Sequence, residues 1–247
     1  MHFPSGPRAS LRQSHRPAAA TATTASRDHG PLPGLLLTLT VGTGLVDAVS
    51  YLALGHVFVA NMTGNIVFFG FAVAGIGAIS WSATLLALGC FGAGAFFGGR
   101  LGGSRGTHRG RLLSCTCAVQ CVLVAVAAAL AAFADPARRG TQLVMIALLA
   151  VPMGAQNSVV RRLAVPDLTT TVLTLTVAGL FADRTPNEVR LRRIASILSM
   201  MTGALVGGLL LRHGQVAAPL WAAAAVLAVC AVTADRLRRR DTAELWG

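Results

Sequence analysis

HVFVANMTGNIVFFGFAVAGIGA, residues 56–78, decides how this chain is read. Apolar residues run along both sides of a polar knot made of Asn61, Thr63, Gly64 and Asn65. From Pro31 to Gly99 the one formally charged residue is Asp47. In water NMTGN would read as a loop. In hydrocarbon each freed backbone group or side-chain amide needs a partner, so the same stretch becomes a candidate site.

Composition chooses between those solvents. The chain of 247 residues is 54% hydrophobic and only 12% charged, with a mean hydropathy of +0.64. Soluble domains carry about 25% charged residues, so the deficit places this chain in a lipid bilayer. All 21 basic residues are arginines and the net charge is +12. These arginines lie between and beyond the apolar runs, as the positive-inside rule requires, and this argues against a nucleic-acid partner.

Eight apolar segments follow one another: 31–54, 57–78, 81–99, 112–134, 141–160, 164–182, 194–211 and 215–234. Each is near the roughly 20 residues that a helix needs to cross the hydrocarbon core. No alternating strand pattern appears, so the expected fold is an all-α, polytopic helix bundle. Residues 1–30 are rich in Pro, Ser, Ala and Arg without apolar periodicity. They read as a disordered cytoplasmic tail, not as a signal peptide. Residues 31–240 form a single membrane domain, and 235–247 a charged cytoplasmic end.

Arginine counting bears on how many segments cross. Eight crossings would put fourteen arginines inside and seven outside. If 57–78 and 164–182 enter and leave by the same face, eighteen lie inside and only Arg138, Arg139 and Arg212 outside. The second split fits the rule better, but both six and eight crossings stay open.

Three short matches share one offset. GLVDAVS at 44–50 pairs with GAQNSVV at 154–160, MTGN at 62–65 with LTLT at 173–176, and GAFFGG at 94–99 with GALVGG at 203–208. Their spacings of 110, 111 and 109 suggest a duplication with halves near 31–134 and 141–234. Four crossings per half would repeat in parallel. Three crossings plus one broken segment would repeat inverted, a recurring transporter design. The small residues in the GAxxGG elements read first as helix-packing surfaces.

Asp47 shares a helix stripe with Thr40, Thr43, Gly44, Ser50 and Tyr51. A carboxylate inside the bilayer faces a partner or a wet cavity, unless it lies close enough to the helix end to be solvated. Here it could bind a cation, carry a proton or pair with an arginine. NMTGN offers either a hydrogen-bonding site or polar glue between helices. In the other half Gln156 and Asn157 follow Pro152, and Asp167 precedes Thr170, Thr171 and Thr174. His56 reads as a boundary residue, with a proton relay to Asp47 as the sharper alternative. The five cysteines lie in apolar runs without His or carboxylate neighbours, so they read as packing residues and no metal is expected. Gly-rich 98–106 lacks the Lys-Ser/Thr of a phosphate loop, no nucleophile–base pair appears, and neither cofactor nor enzymatic activity is expected.

GLVDAVSYLALGHVFVANMTGNIVFFG at 44–70 and MGAQNSVVRRLAVPDLTTTVLTLT at 153–176 resemble the YoaK family of bacterial membrane proteins. The likeness covers about residues 34–240. It implies a multi-pass protein of the bacterial inner membrane and supplies no reaction or substrate. Family members tend to carry a Thr-Gly pair where this chain has Thr174-Leu175, which implies a less broken second half. The leading expectation is a permease or channel for a small solute or ion. Its site would combine Asp47, Asn61, Thr63, Gly64 and Asn65 with Gln156, Asn157, Thr170 and Thr174. The alternative is a membrane scaffold whose polar residues only glue helices. The lipid bilayer is the expected partner, and a homo-oligomer stays open.

Overall fold

The computed structural model describes residues 30–77, 79–101, 108–163, 165, 173–183 and 185–239. Among them eight helices follow in order: α1 (Leu32–Ala53), α2 (Met62–Val73), α3 (Trp81–Leu101), α4 (Arg109–Phe133), α5 (Arg139–Leu163), α6 (Leu173–Ala182), α7 (Asn187–Leu211) and α8 (Ala217–Arg239). The described residues contain no strand.

Six of these helices, all but α2 and α6, are long and apolar enough to cross a membrane. The two exceptions have 12 and 10 residues. At 1.5 Å per residue they rise about 18 and 15 Å, roughly half of the hydrocarbon core. The expected 57–78 segment is therefore not one spanning helix. It opens on a bent, non-helical stretch up to Asn61, and its end is marked by Gly75 and Gly77 at φ 71° and 81°. Likewise, only 173–182 of the expected 164–182 segment is described as helix. The seventh segment starts earlier than expected, at Asn187.

Helix packing falls into matched pairs. α3 lies against α5, and α7 lies against α1. α4 borders α5, and α8 borders α1. The short α2 rests on α3, and the short α6 on α7. α4 and α8 pack on each other, and α1 is the most enclosed of the six long helices.

Glycines set the closest of these contacts. A Cβ added to Gly94 would stand 1.9 Å from the Val151 carbonyl oxygen, and one on Gly154 2.0 Å from that of Phe91. At the other pair, a Cβ on Gly203 would stand 2.1 Å from the Val41 oxygen, and one on Gly44 2.5 Å from that of Met200. The helices α3/α5 and α1/α7 thus touch main chain to main chain. In lipid, dispersion across such close approaches replaces the hydrophobic drive that would hold helices together in water. The packing reading of the GAxxGG elements agrees with these contacts.

Candidate functional site

Asp47 sits in the inner part of α1, only 3% exposed. Its Oδ1 accepts from the main-chain N–H groups of Val59 and Ala60, at 3.1 and 2.9 Å. Its Oδ2 accepts from the Asn61 side-chain amide. These bonds hold the chain before α2 out of the helix. Two consecutive N–H groups are drawn to a carboxylate on α1, so they are not available to a helix. The side chain of Asn61 is spent on Asp47 and makes no cap on α2.

A second clamp closes the loop from inside. Asn65, fully buried, accepts from the Phe58 N–H at 2.8 Å and donates back to the Phe58 carbonyl at 2.6 Å. One side-chain amide thus stands in for a paired strand. Gly64 lies under the Phe58 ring, where a Cβ would come within 2.8 Å of ring carbon. Phe58 stacks on Tyr51 and on Phe68, at centroid distances of 5.0 and 5.8 Å, and those two rings are 6.0 Å from each other. Thr63 is exposed. His56 takes φ 58° and sets its ring edge-on against Tyr51.

Gln156 belongs to a different web. Its Nε2 donates to Thr43 Oγ1 at 3.1 Å, and Thr43 lies one turn before Asp47 on α1. Its Oε1 accepts from Gln120 Nε2 on α4 at 2.8 Å. Gln120 Nε2 also reaches the Pro152 carbonyl, at 3.2 Å. All three side chains are buried. Gln120 was not among the expected site residues; a lone amide in an apolar helix is the signal for it. Asn157 is half-buried and engaged in an interaction of its own.

In α6, Thr174 is exposed, and the buried residue is Thr176. Thr170, Thr171 and Asp167 lie outside the described residues. Sequence reasoning also passed over Arg193. Its guanidinium packs on Gly179 of α6 and pairs with Asp183 at 2.9 Å. The structure therefore brings together Asp47, Asn61 and Asn65 around the entrance to α2, and joins Gln156 to α1 through Thr43. It leaves Thr63 and Thr174 on the surface.

All five cysteines are free; Cys117 and Cys230 are buried as the packing reading expects, Cys90 and Cys121 are half-buried, and Cys115 is exposed. Cys121 Sγ donates to the Ala224 carbonyl at 3.3 Å, and Cys230 Sγ to that of Leu35 at 3.7 Å. One cavity, of about 250 Å³, opens between α3, α4 and α5; a second, of about 310 Å³, lies between α1 and α8. Neither is lined by Asp47, Asn61 or Asn65.

Long apolar helices, two half-length helices and buried amide webs define a multi-pass helical membrane protein. The profile of the family described as "Protein of unknown function (DUF1275)" matches residues 35–233, and the chain belongs to that family. It is similar to the UPF0700 transmembrane protein YoaK of Bacillus subtilis (strain 168), at 32% identity over 152 residues. That match covers 60% of this chain and 65% of the relative's length. The resemblance read from 44–70 and 153–176 is borne out by both matches. No solved structure matches the chain.

Proposed function

We infer that this chain is an inverted-repeat permease or channel for a small solute or ion, set in the bacterial inner membrane with its N-terminus in the cytoplasm. One observation carries the reading: α2 and α6 are half-length helices seated alike, on α3 and α7, and each buries one polar residue, Asn65 and Thr176. Those two residues are partners at the offset of 111 that pairs MTGN with LTLT. The glycine contacts of α3/α5 and α1/α7 support the same duplication. Three long helices and one short helix per half make an odd number of crossings, so the halves are inverted. α2 then enters from the outer face and α6 from the inner face. The arginine distribution favours this topology. Half-helices meeting at the repeat interface are where transporters build their sites.

Asp47 is the coupling residue in this reading. As a carboxylate it only accepts hydrogen bonds, and it holds Val59, Ala60 and Asn61 together. A proton on either oxygen puts a donor where an acceptor is needed and weakens the hold on the α2 entrance. Proton arrival would thereby release α2. The test is single-cysteine labelling in a Cys-free background at 55–57, 79–80 and 183–185, followed by solute flux in proteoliposomes. The expected outcome is outer-face labelling at the first two places and inner-face labelling at the third. Osmotic swelling with a panel of polyols, amides and monovalent salts should then find a permeant whose flux changes in Asp47→Asn. Labelling of 55–57 and 79–80 from opposite faces would sink the inverted repeat.

A scaffold without transported substrate is the second reading. It is favoured by the way the hydrogen bonds of Asp47 and Asn65 end within the chain. Flux indistinguishable from empty liposomes for the whole panel would select it.

A further inference from the structure

The α3/α4/α5 cavity is walled by apolar groups, among them Phe97, Val119, Val151 and Ala155, and none of its lining residues is charged. Phe97 and Val119 at its rim are exposed, so in a bilayer it opens sideways to lipid. Its inner wall carries Gln120, with Thr116 one turn away. Gln120 is fully buried, and its Oε1 has no hydrogen-bond partner. Few proteins leave a buried amide oxygen empty, because the lost hydration goes uncompensated.

The orientation of this amide follows from its surroundings. Both Nε2 hydrogens are committed, to Gln156 Oε1 and to the Pro152 carbonyl. Turning the amide over would press Oε1 against the Pro152 oxygen, acceptor to acceptor. The web therefore runs one way: Gln120 donates to Gln156, Gln156 to Thr43, and Thr43 to the Leu39 carbonyl. Its open end is an acceptor. Moreover, this web is confined to one side of the molecule. Shifted by the offset of 110, Gln120 falls on Cys230, Thr116 on Val226, and Gln156 back on Val46. The same packing is achieved there with small or apolar side chains, so the amides are not what the bundle needs to hold together.

We propose that the groove between α3, α4 and α5 binds an uncharged, membrane-dissolved amphiphile, with its alkyl body along Phe97, Val119 and Ala155 and its hydroxyl donating to Gln120 Oε1. The volume lies just below the roughly 300–1,000 Å³ of drug-sized pockets, which suits one chain and a small head. A charged head is excluded by the absence of a counter-ion in an apolar wall. This site is separate from the α2 entrance and independent of the permease reading.

Photo-crosslinking of the detergent-purified full chain tests it without any flux assay. The probes are a clickable diazirine derivative of a medium-chain fatty alcohol and the matching methyl ether, which has no donor. The alcohol should label residues within 94–98, 115–120 or 151–159, saturably, and compete about fivefold better than the ether, as one added hydrogen bond implies. Gln120→Met should bring the alcohol down to the ether's level while the melting temperature shows the variant folded. Equal competition by alcohol and ether on the unaltered protein would overturn the proposal, whatever the fate of the variant. Labelling confined to other helices, or a folded Gln120→Met that discriminates as before, would do the same.

Discussion

α2 and α6 face the same physical problem and are tethered differently. Among the described residues each is too short to cross, and each rests on a long helix, α3 or α7, that is locked to a partner through glycines. α2 is tied by a buried web: Asp47 to Val59, Ala60 and Asn61, and Asn65 to Phe58. Among the described residues, α6 is tied at its far end by a rim ion pair, in which Arg193 is 9% exposed but Asp183 is 50% exposed. The platforms are alike because main-chain contact leaves little freedom in how it is made. The tethers differ because a short helix can be held by any set of groups that is satisfied.

Breaking the platforms should have the largest effect and should not distinguish the two sides. Gly154→Leu and Gly203→Leu drive side chains into the carbonyls of Phe91 and Val41. Overpacking ordinarily costs about 1–3 kcal/mol, and here the obstacle is backbone that cannot turn aside. Both variants are expected to lose the monodisperse peak in fluorescence-detected size exclusion, to similar extents. If one tolerates leucine, the two platforms are not physically alike.

Next come the tethers, where the sides should diverge. Asp47→Ala leaves the buried N–H groups of Val59 and Ala60 without an acceptor, at roughly 1–3 kcal/mol each. Asp47→Asn keeps an oxygen for them if Asn61 turns its amide over, so its loss should be about 1 kcal/mol. Thermal unfolding in detergent should rank the native chain above Asn, and Asn above Ala. Asp183→Asn should lower stability by about 1 kcal/mol or less, because half-exposed pairs are screened, and added salt should shrink the difference. Asp183→Asn costing as much as Asp47→Ala would refute the division into web and rim.

The smallest effect is expected at Thr63 and Thr174. Both are exposed, and valine there should change stability by about 0.5 kcal/mol or less. A change in flux without a change in melting would return them to the functional site that the sequence suggested.

Much of this architecture could be read from the chain. Apolar length marked eight segments without separating the six long helices from the two short ones, and GAxxGG marked Gly94 and Gly203 among the close glycine contacts. NMTGN and the arginine split pointed to an interrupted second segment. What could not be read was the cause of the interruption, because it lies in bonds between Asp47 and residues twelve to fourteen positions away. Periodicity places Asp47 beside Thr43 and Ser50 but says nothing about which main-chain donors will come to it. For the same reason Gln120 was passed over: its partners, Pro152 and Gln156, are more than thirty residues distant. In α6 the sequence reading named Thr174, but packing buries Thr176, because alternation of Thr and Leu does not fix which threonine faces inward.

The packing pairs carry one more consequence, for biogenesis. α1 finds its glycine partner in α7 and α3 in α5, while α4 packs on α8; of the chief pairs among the first four helices there is only the short α2 on α3. A nascent chain that has delivered four helices to the bilayer therefore holds almost none of its final neighbours. Its glycine faces stay uncovered until translation has passed the midpoint, and α1 waits longest. The first part of the polypeptide is a set of parked segments that the second part sorts, so quality control in the membrane has to tolerate an orphaned half-protein for as long as the ribosome takes to finish it.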